Sequence, residues 1–190
     1  ERRGFIDLCP HDFEIWHALH LWPPCLLDAR PIASVIRARK TPSAALLQVR
    51  LDGYTAALKD HKIPFSKSLV KRLPFDLDRE SFNNEIRKFL TSVKGLDAVF
   101  FATNYLGISG IESIRSLGWQ IGKEIGLIGF DDHDLFRLHS PSITCVSQPI
   151  AAIGKNIVDV LMKELNHPSA SPQQMVLAPE LIIRESSSRV

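Results

Sequence analysis

The apolar run at 125–130 stops abruptly at a pair of carboxylates, Asp131-Asp132, and that boundary limits the folds open to the chain. A strand buried on both faces reads as continuously apolar rather than alternating, and such strands belong to parallel sheets covered by helices. Asp131 is then the first polar side chain beyond the carboxyl end of the strand, where an open α/β sheet presents polar groups to a ligand. The pattern occurs again one unit upstream, where the run at 97–102 ends at Thr103-Asn104-Tyr105. Between the two runs Ile108, Ile111, Ile114 and Leu117 fall at steps of three, one face of a helix, and Gly118 follows as a helix stop. Strand, helix, strand predicts a βαβ unit with parallel neighbouring strands and a right-handed crossover. Asn104 and Asp131 then share one edge of the sheet. An amide and a carboxylate there suit a ligand rich in hydroxyls; equally, Asn104 can cap the following helix and Asp131 a turn. Spacing leaves both roles open.

The rest of the chain fits an α/β pattern, with an irregular start. Over 1–45 there are two strand-sized runs, at 4–10 and 24–28, a short helix pattern at 12–21 carrying Phe13, Trp16 and Leu19, and a basic stretch at 34–42 without clear period. Full helices are missing between them, so this part reads as abbreviated. His11, His17 and His20 cluster here, the last two one turn apart, but no carboxylate or cysteine accompanies them at a metal-binding spacing. Farther on, Val49, Tyr54, Ala57 and Leu58 mark a helix with Arg50 in its first turn. A cation there opposes the helix dipole, so Arg50 is expected to reach a polar group beyond the helix end, or else to lie over its own helix. A strand at 68–75 and a helix at 79–90 follow, with Asp78 as N-cap and Phe82, Ile86, Phe89 and Leu90 inward. A proline-bounded connector at 140–149 leads to a helix over 150–166, with Ile153, Ile157, Val160, Leu161 and Leu165 on one face. A polar loop at 166–172 and two short strands at 174–180 and 181–186 complete the chain.

Composition narrows the classes. A net charge of +2 on 190 residues, with basic residues scattered apart from the short clusters at 37–40 and 71–72, does not describe a nucleic-acid surface. The three cysteines, Cys9, Cys25 and Cys145, lack any CxxC or Cys/His pattern and read as reduced, buried thiols of a cytoplasmic protein. No apolar span approaches the length of a transmembrane helix. The start is not a secretory signal, although a mature exported chain would lack one too.

Several ordered segments carry a resemblance. They are Arg50-Leu-Asp-Gly53-Tyr54, the strand ending at Asn104, Gly110, Leu117-Gly118, Ile128-Gly129-Phe130-Asp131-Asp132, Ser142-Ile143-Thr144, Gln148-Pro149, Ile153-Gly154 and Leu181-Ile-Ile-Arg184-Glu185-Ser186. In this order and at these intervals they resemble the effector-binding domain of the lac repressor family of bacterial transcription regulators, over roughly residues 46–187. The resemblance implies a two-lobed fold like the type I periplasmic binding proteins, with parallel doubly wound sheets and a small effector between the lobes. It divides the chain into an incomplete N-terminal lobe, 1–42 and 146–167, and a C-terminal lobe, 43–145 and 168–190. The helix-turn-helix DNA-binding domain of the family would be absent from this chain, and the connector at 144–149 would be the lobe crossing and hinge. Family effector contacts carry over to Arg50, Asn104 and Asp131, and an aromatic residue stacking on the effector falls near Phe75. The chain departs from the family at Tyr105, usually aspartate, and at Cys145, commonly threonine.

The chemistry of these groups is compatible with a sugar. Arg50 offers a fork of donors, Asp131 accepts, and Asn104 does both, so together they can bracket vicinal hydroxyls while an aromatic face covers the ring. The expectation is therefore a cytoplasmic, homodimeric sensor that controls operator DNA binding, with no cofactor, no metal and no membrane contact. Leu135-Phe136-Arg137-Leu138 would supply either a dimer contact or local packing. An exported sugar-binding protein of a transport system is the alternative. An enzyme using Asp131, Asp132, His133 and Asp134 would need a nucleophile with an orienting partner, and none is evident.

Overall fold

A computed structural model describes residues 31–38, 44–74, 76–167 and 175–188. Phe75, Cys9, Cys25, His11, His17 and His20, the elements read over 4–28 and the loop at 168–172 lie outside the described residues. Six strands form one sheet in the order β2-β1-β3-β4-β5-β6. They are β1 (Ile32–Ala38), β2 (Val70–Pro74), β3 (Ala98–Phe101), β4 (Gly126–Phe130), β5 (Thr144–Ser147) and β6 (Glu180–Ile182). All neighbours are parallel except β6, which runs antiparallel to β5. The helices are α1 (Ala44–Asp60), α2 (Arg79–Ser92), α3 (Asn104–Ser116), the short α4 (Asp134–Leu138) and α5 (Ile150–Asn166).

The helices cover both faces of the sheet. Ile32 and Ile36 of β1 pack with Leu51, Tyr54, Ala57 and Leu58 of α1, whereas Ala33 and Val35 pack in the second core with Ile86 of α2 and Ile114 of α3. Alternate side chains of one strand thus feed two cores, as the two-residue period of a strand requires. The chain leaves β1 through α1 to reach β2 on one side, then returns through α2 to β3 on the other. This reversal makes the carboxyl ends of β1 and β3 a topological switch point, where doubly wound sheets bind ligands.

The predicted βαβ unit is present: β3 and β4 are parallel neighbours, registered Ala98 to Gly126 and Phe100 to Ile128. Asp78 caps α2 by accepting from the Ser81 amide at 2.9 Å, and all four predicted inward residues of that helix are buried. Gly118 ends α3 with φ +75°, a left-handed C′ position open to glycine. Three expectations need correction. The basic stretch from 34 contains β1, an interior strand between β2 and β3, so residues 32–38 join the sheet that carries 70–147 rather than a separate first lobe. Its two-sided burial explains why no amphipathic period is visible. The helix bearing Arg50 begins at Ala44, so Arg50 lies in its second turn. The predicted inner face of α5 is largely open: only Val160 is buried, while Leu161 and Leu165 are 55% and 68% exposed.

Close approach decides several small residues. A methyl group at Gly110 of α3 would overlap the buried Phe101 ring, and one at Gly107 or Gly129 would overlap the ring of Phe136. Phe136, fully buried on α4, is thus the plug between α3 and β4. Gly110→Ala is expected to destabilise the fold by about 1–3 kcal/mol, because a rigid packed ring cannot withdraw; a urea midpoint lowered at unchanged slope is the measurement. Ser34 on β1 presents the opposite case, a fully buried hydroxyl with no hydrogen-bond partner among the described residues. Removing an unsatisfied group relieves a penalty of about 1–3 kcal/mol, so Ser34→Ala should leave the midpoint unchanged or raise it.

Candidate functional site

Arg50 leaves the flank of α1 and donates from Nη1 to the Ala102 carbonyl at 2.6 Å. Its guanidinium carbon stands 3.5 Å from the centroid of the Phe130 ring. Planar guanidinium on an aromatic face combines cation–π attraction with stacking. The arginine therefore reaches a polar group beyond its own helix, and that group is a backbone carbonyl at the switch point: Ala102 itself donates to Val35 of β1 at 3.1 Å. One contact places the guanidinium two residues before Asn104, the other one residue before Asp131. Arg50, Asn104 and Asp131 thus gather along the carboxyl edge of β3 and β4.

Asn104 opens α3. Thr103 is the N-cap, its hydroxyl accepting from the Leu106 amide, while Asn104 Oδ1 accepts from the Tyr105 amide at 2.7 Å. The capping role expected of Asn104 thus falls to Thr103; the Tyr105 contact engages only the Asn104 oxygen and leaves its Nδ2 a donor at this edge. Tyr105 is 74% exposed beside it, an aromatic at the rim where the resemblance would place a carboxylate.

Asp131 has φ +67°, a left-handed backbone uncommon outside glycine and tolerated best by asparagine and aspartate. Its amide donates to Val146 at 2.8 Å, and its carbonyl accepts from the His133 amide at 3.0 Å. Gln148 donates from Nε2 to Asp131 Oδ1, linking this carboxylate to the segment that leaves β5 for α5. Gln148 is a site residue that the sequence reading placed in a motif without giving it a role; its position immediately after the last inward strand was the available signal.

The neighbouring acidic and basic groups have structural duties. Asp132 forms a two-pronged ion pair with Arg184, at 2.8 Å to Nη1 and 2.9 Å to Nη2. Cys145 is buried and donates to the same carboxylate at 3.4 Å. Burial first, then the Asp132 charge, pushes its thiol up to about 12, so it is inert as a nucleophile at neutral pH. His133 caps α4 through Nδ1, 3.0 Å from the Leu135 amide, and Asp134 pairs with Arg137 at 3.2 Å. Of the loop's polar groups, then, Asp132, His133 and Asp134 each have a local partner, and no hydroxyl or reactive thiol stands among them. Two concavities among the described residues, about 590 Å³ beside Trp119 and His139 and about 390 Å³ beside Ile63 and Ser92, contain none of Arg50, Asn104 and Asp131.

Comparison with known proteins places the chain in a family. Residues 28–187 match the periplasmic binding protein-like domain. The ribose operon repressor of Haemophilus influenzae is 29% identical over 142 residues, covering 75% of this chain and 42% of the repressor. The HTH-type transcriptional regulator CelR of Thermobifida fusca is 28% identical over 137 residues, covering 72% of this chain and 40% of CelR. A LacI family transcriptional regulator of Enterococcus faecium, solved with bound ribose, superposes with a TM-score of 0.75 at 20% identity, over 94% of this chain and 64% of that one. The chain spans less than half the length of the two curated relatives. These relatives are transcription regulators, as the ordered motifs imply.

The Arg184 guanidinium, foremost by hydrogen bonding, holds the Asp132 carboxyl below the usual carboxylate range. A depressed folded-state value means that the unfolded chain takes up the proton first, so the stabilisation is present above the ordinary carboxylate value and is lost as pH falls through the folded one. The parent chain should therefore melt above Asp132→Asn at pH 7, and the gap should close on acidification below about pH 4. Melting curves of both chains across that range measure it.

Proposed function

Because the chain belongs to the periplasmic binding protein-like domain family, we propose that it is the effector-sensing domain of a bacterial DNA-binding transcription regulator of the lac repressor family. In this reading it binds a small polar ligand, a sugar, between two lobes. The six-stranded sheet is one lobe; of the connector at 144–149, residues 144–147 are β5 within that sheet, so the crossing narrows to Gln148-Pro149, from which α5 starts the return to the other. The observation that carries the reading is Arg50, fixed over Phe130 and onto Ala102, beside Asn104 and Asp131 at the switch point of the sheet. Two further facts support a sugar: a ribose operon repressor is among the relatives, and a regulator of the same fold holds ribose.

The mechanism follows from differential contact. A ligand shifts the equilibrium between two lobe arrangements only by as much as its affinity for them differs. Arg50 and Asp131 offer donor and acceptor on one lobe, so a polyhydroxylated ligand that also touches the other lobe favours the closed arrangement. Asp131 is bonded to Gln148, so a hydroxyl that claims the carboxylate competes with the residue that begins the crossing. In the cytoplasm, two such chains, paired in part through the exposed Leu135 and Leu138, would carry helix-turn-helix domains to a two-fold operator.

A thermal-shift series with D-ribose, cellobiose, other sugars and nucleobases tests the reading. At least one sugar should raise the melting temperature, and Asp131→Ala should abolish the shift. A hydrogen bond to a charged group contributes about 1.5–3 kcal/mol, so the affinity should fall about ten- to a hundredfold. A stabilising sugar that acts equally on Asp131→Ala would remove Asp131 from the site.

A further inference from the structure

The loop after β4 carries two adjacent carboxylates with divergent partners. Asp131 turns towards Gln148, and Asp132 turns towards Arg184. The His133 amide bonds back to the Asp131 carbonyl at 3.0 Å, closing a three-residue turn centred on Asp132. Asp131 itself adopts a backbone conformation disfavoured for residues with a Cβ, at φ +67°. Such conformations persist where the surroundings over-determine them. The centre of this turn is therefore where a restraint has the most effect on the backbone of Asp131.

Arg184 supplies that restraint and is itself firmly held. Its side chain is only 13% exposed. Besides the two bonds to Asp132, Nη1 donates to the Ile143 carbonyl at 2.9 Å, and its backbone amide donates to Thr144 Oγ1 at 2.8 Å. The fork is thus fixed on β5 and on the segment after β6, and a planar fork pairs with a carboxylate in one orientation only. Taking the sugar-sensing reading as its basis, we propose that Asp132 and Arg184 are positioning residues: their two-pronged pair holds the turn so that Asp131 keeps its left-handed backbone and presents its carboxylate at the edge of the sheet. Neither residue needs to touch the ligand. The pair also links the carboxylate to the end of the chain's last strand, so the ligand-facing group is fixed from both neighbours of β5.

The conservative variants Arg184→Lys, which keeps the charge and loses the fork, and Asp132→Asn, which keeps the shape and loses the charge, test the proposal in the full chain. Amide hydrogen exchange of the unliganded protein is the first readout. In both variants the Asp131 and His133 amides should exchange faster by a factor at least about tenfold greater than the change at the amides of Phe100 and Leu127, as a locally opened unit does. Unchanged exchange in the loop, or uniform acceleration across the sheet, overturns the proposal, the latter because it marks a merely structural pair. The second readout is calorimetric binding of D-ribose and cellobiose. A sugar bound by the parent should bind about tenfold more weakly to Arg184→Lys with its melting transition still cooperative; equal binding also overturns the proposal. Failure of the sugar-sensing reading is seen separately, as Asp131→Ala binding that sugar as the parent does. If the parent binds neither sugar, the exchange pattern alone decides whether the pair positions the loop.

Discussion

The pairing of β1 between β2 and β3 is the constraint on which the remaining geometry depends. A strand that precedes both of its neighbours in the chain and lies between them forces the chain to reverse its direction of travel across the sheet, and the reversal opens a gap between helices on opposite faces. Ala102 and Val35 meet at that gap, and Arg50 enters it from α1. Were β1 an edge strand, α1 and α2 would cover the same face, and Arg50 would have no carbonyl at the strand ends to grip. The polar groups at this edge thus owe their place to strand order, before any particular side chain is considered.

Within that frame the polar groups divide their labour by neighbourhood. Asp131 and Asp132 are identical in chemistry and adjacent in sequence, yet one is drawn to the departing Gln148 and the other to the incoming Arg184. Left-handed backbone at Asp131 is what separates them. The same loop spends His133 and Asp134 on the first turn and surface of α4. A cluster of three carboxylates and a histidine that suggests acid–base chemistry on paper therefore resolves into one outward acceptor and a set of local supports.

How much of this is legible in the sequence depends on whether a signal is local. The strands ending at Ala102 and Phe130, the α2 face of Phe82, Ile86, Phe89 and Leu90, and the Asp78 cap follow from period and capping chemistry, which act over a few residues. The central strand β1 is obscured because Ser34 interrupts its apolar run, and the burial of residues 32–36 comes from distant partners. Arg50 was readable as a cation out of place, but its true partners, a carbonyl and an aromatic face, lie 52 and 80 positions along the chain and leave no local trace. The open face of α5 is a further instance. Its period is sound, and the residues that its apolar stripe would meet are not among those packed against it here. Phe75, expected as the stacking aromatic, lies outside the described residues; among those described, Tyr105 stands exposed at this edge, whereas Phe130 is fully buried beneath Arg50.

Phe136 occupies the space that Gly107 and Gly129 leave, and it does so from a helix of five residues. A helix so short cannot sustain itself, since its nucleus costs more than its few bonds return. The ring is therefore an anchor, and the loop that carries Asp131 is moored at one end by an aromatic plug. The three positions behave as a single volume shared by three residues. Any drift towards bulk at either glycine has to be matched by a smaller residue at 136, and the acidic loop then loses its mooring.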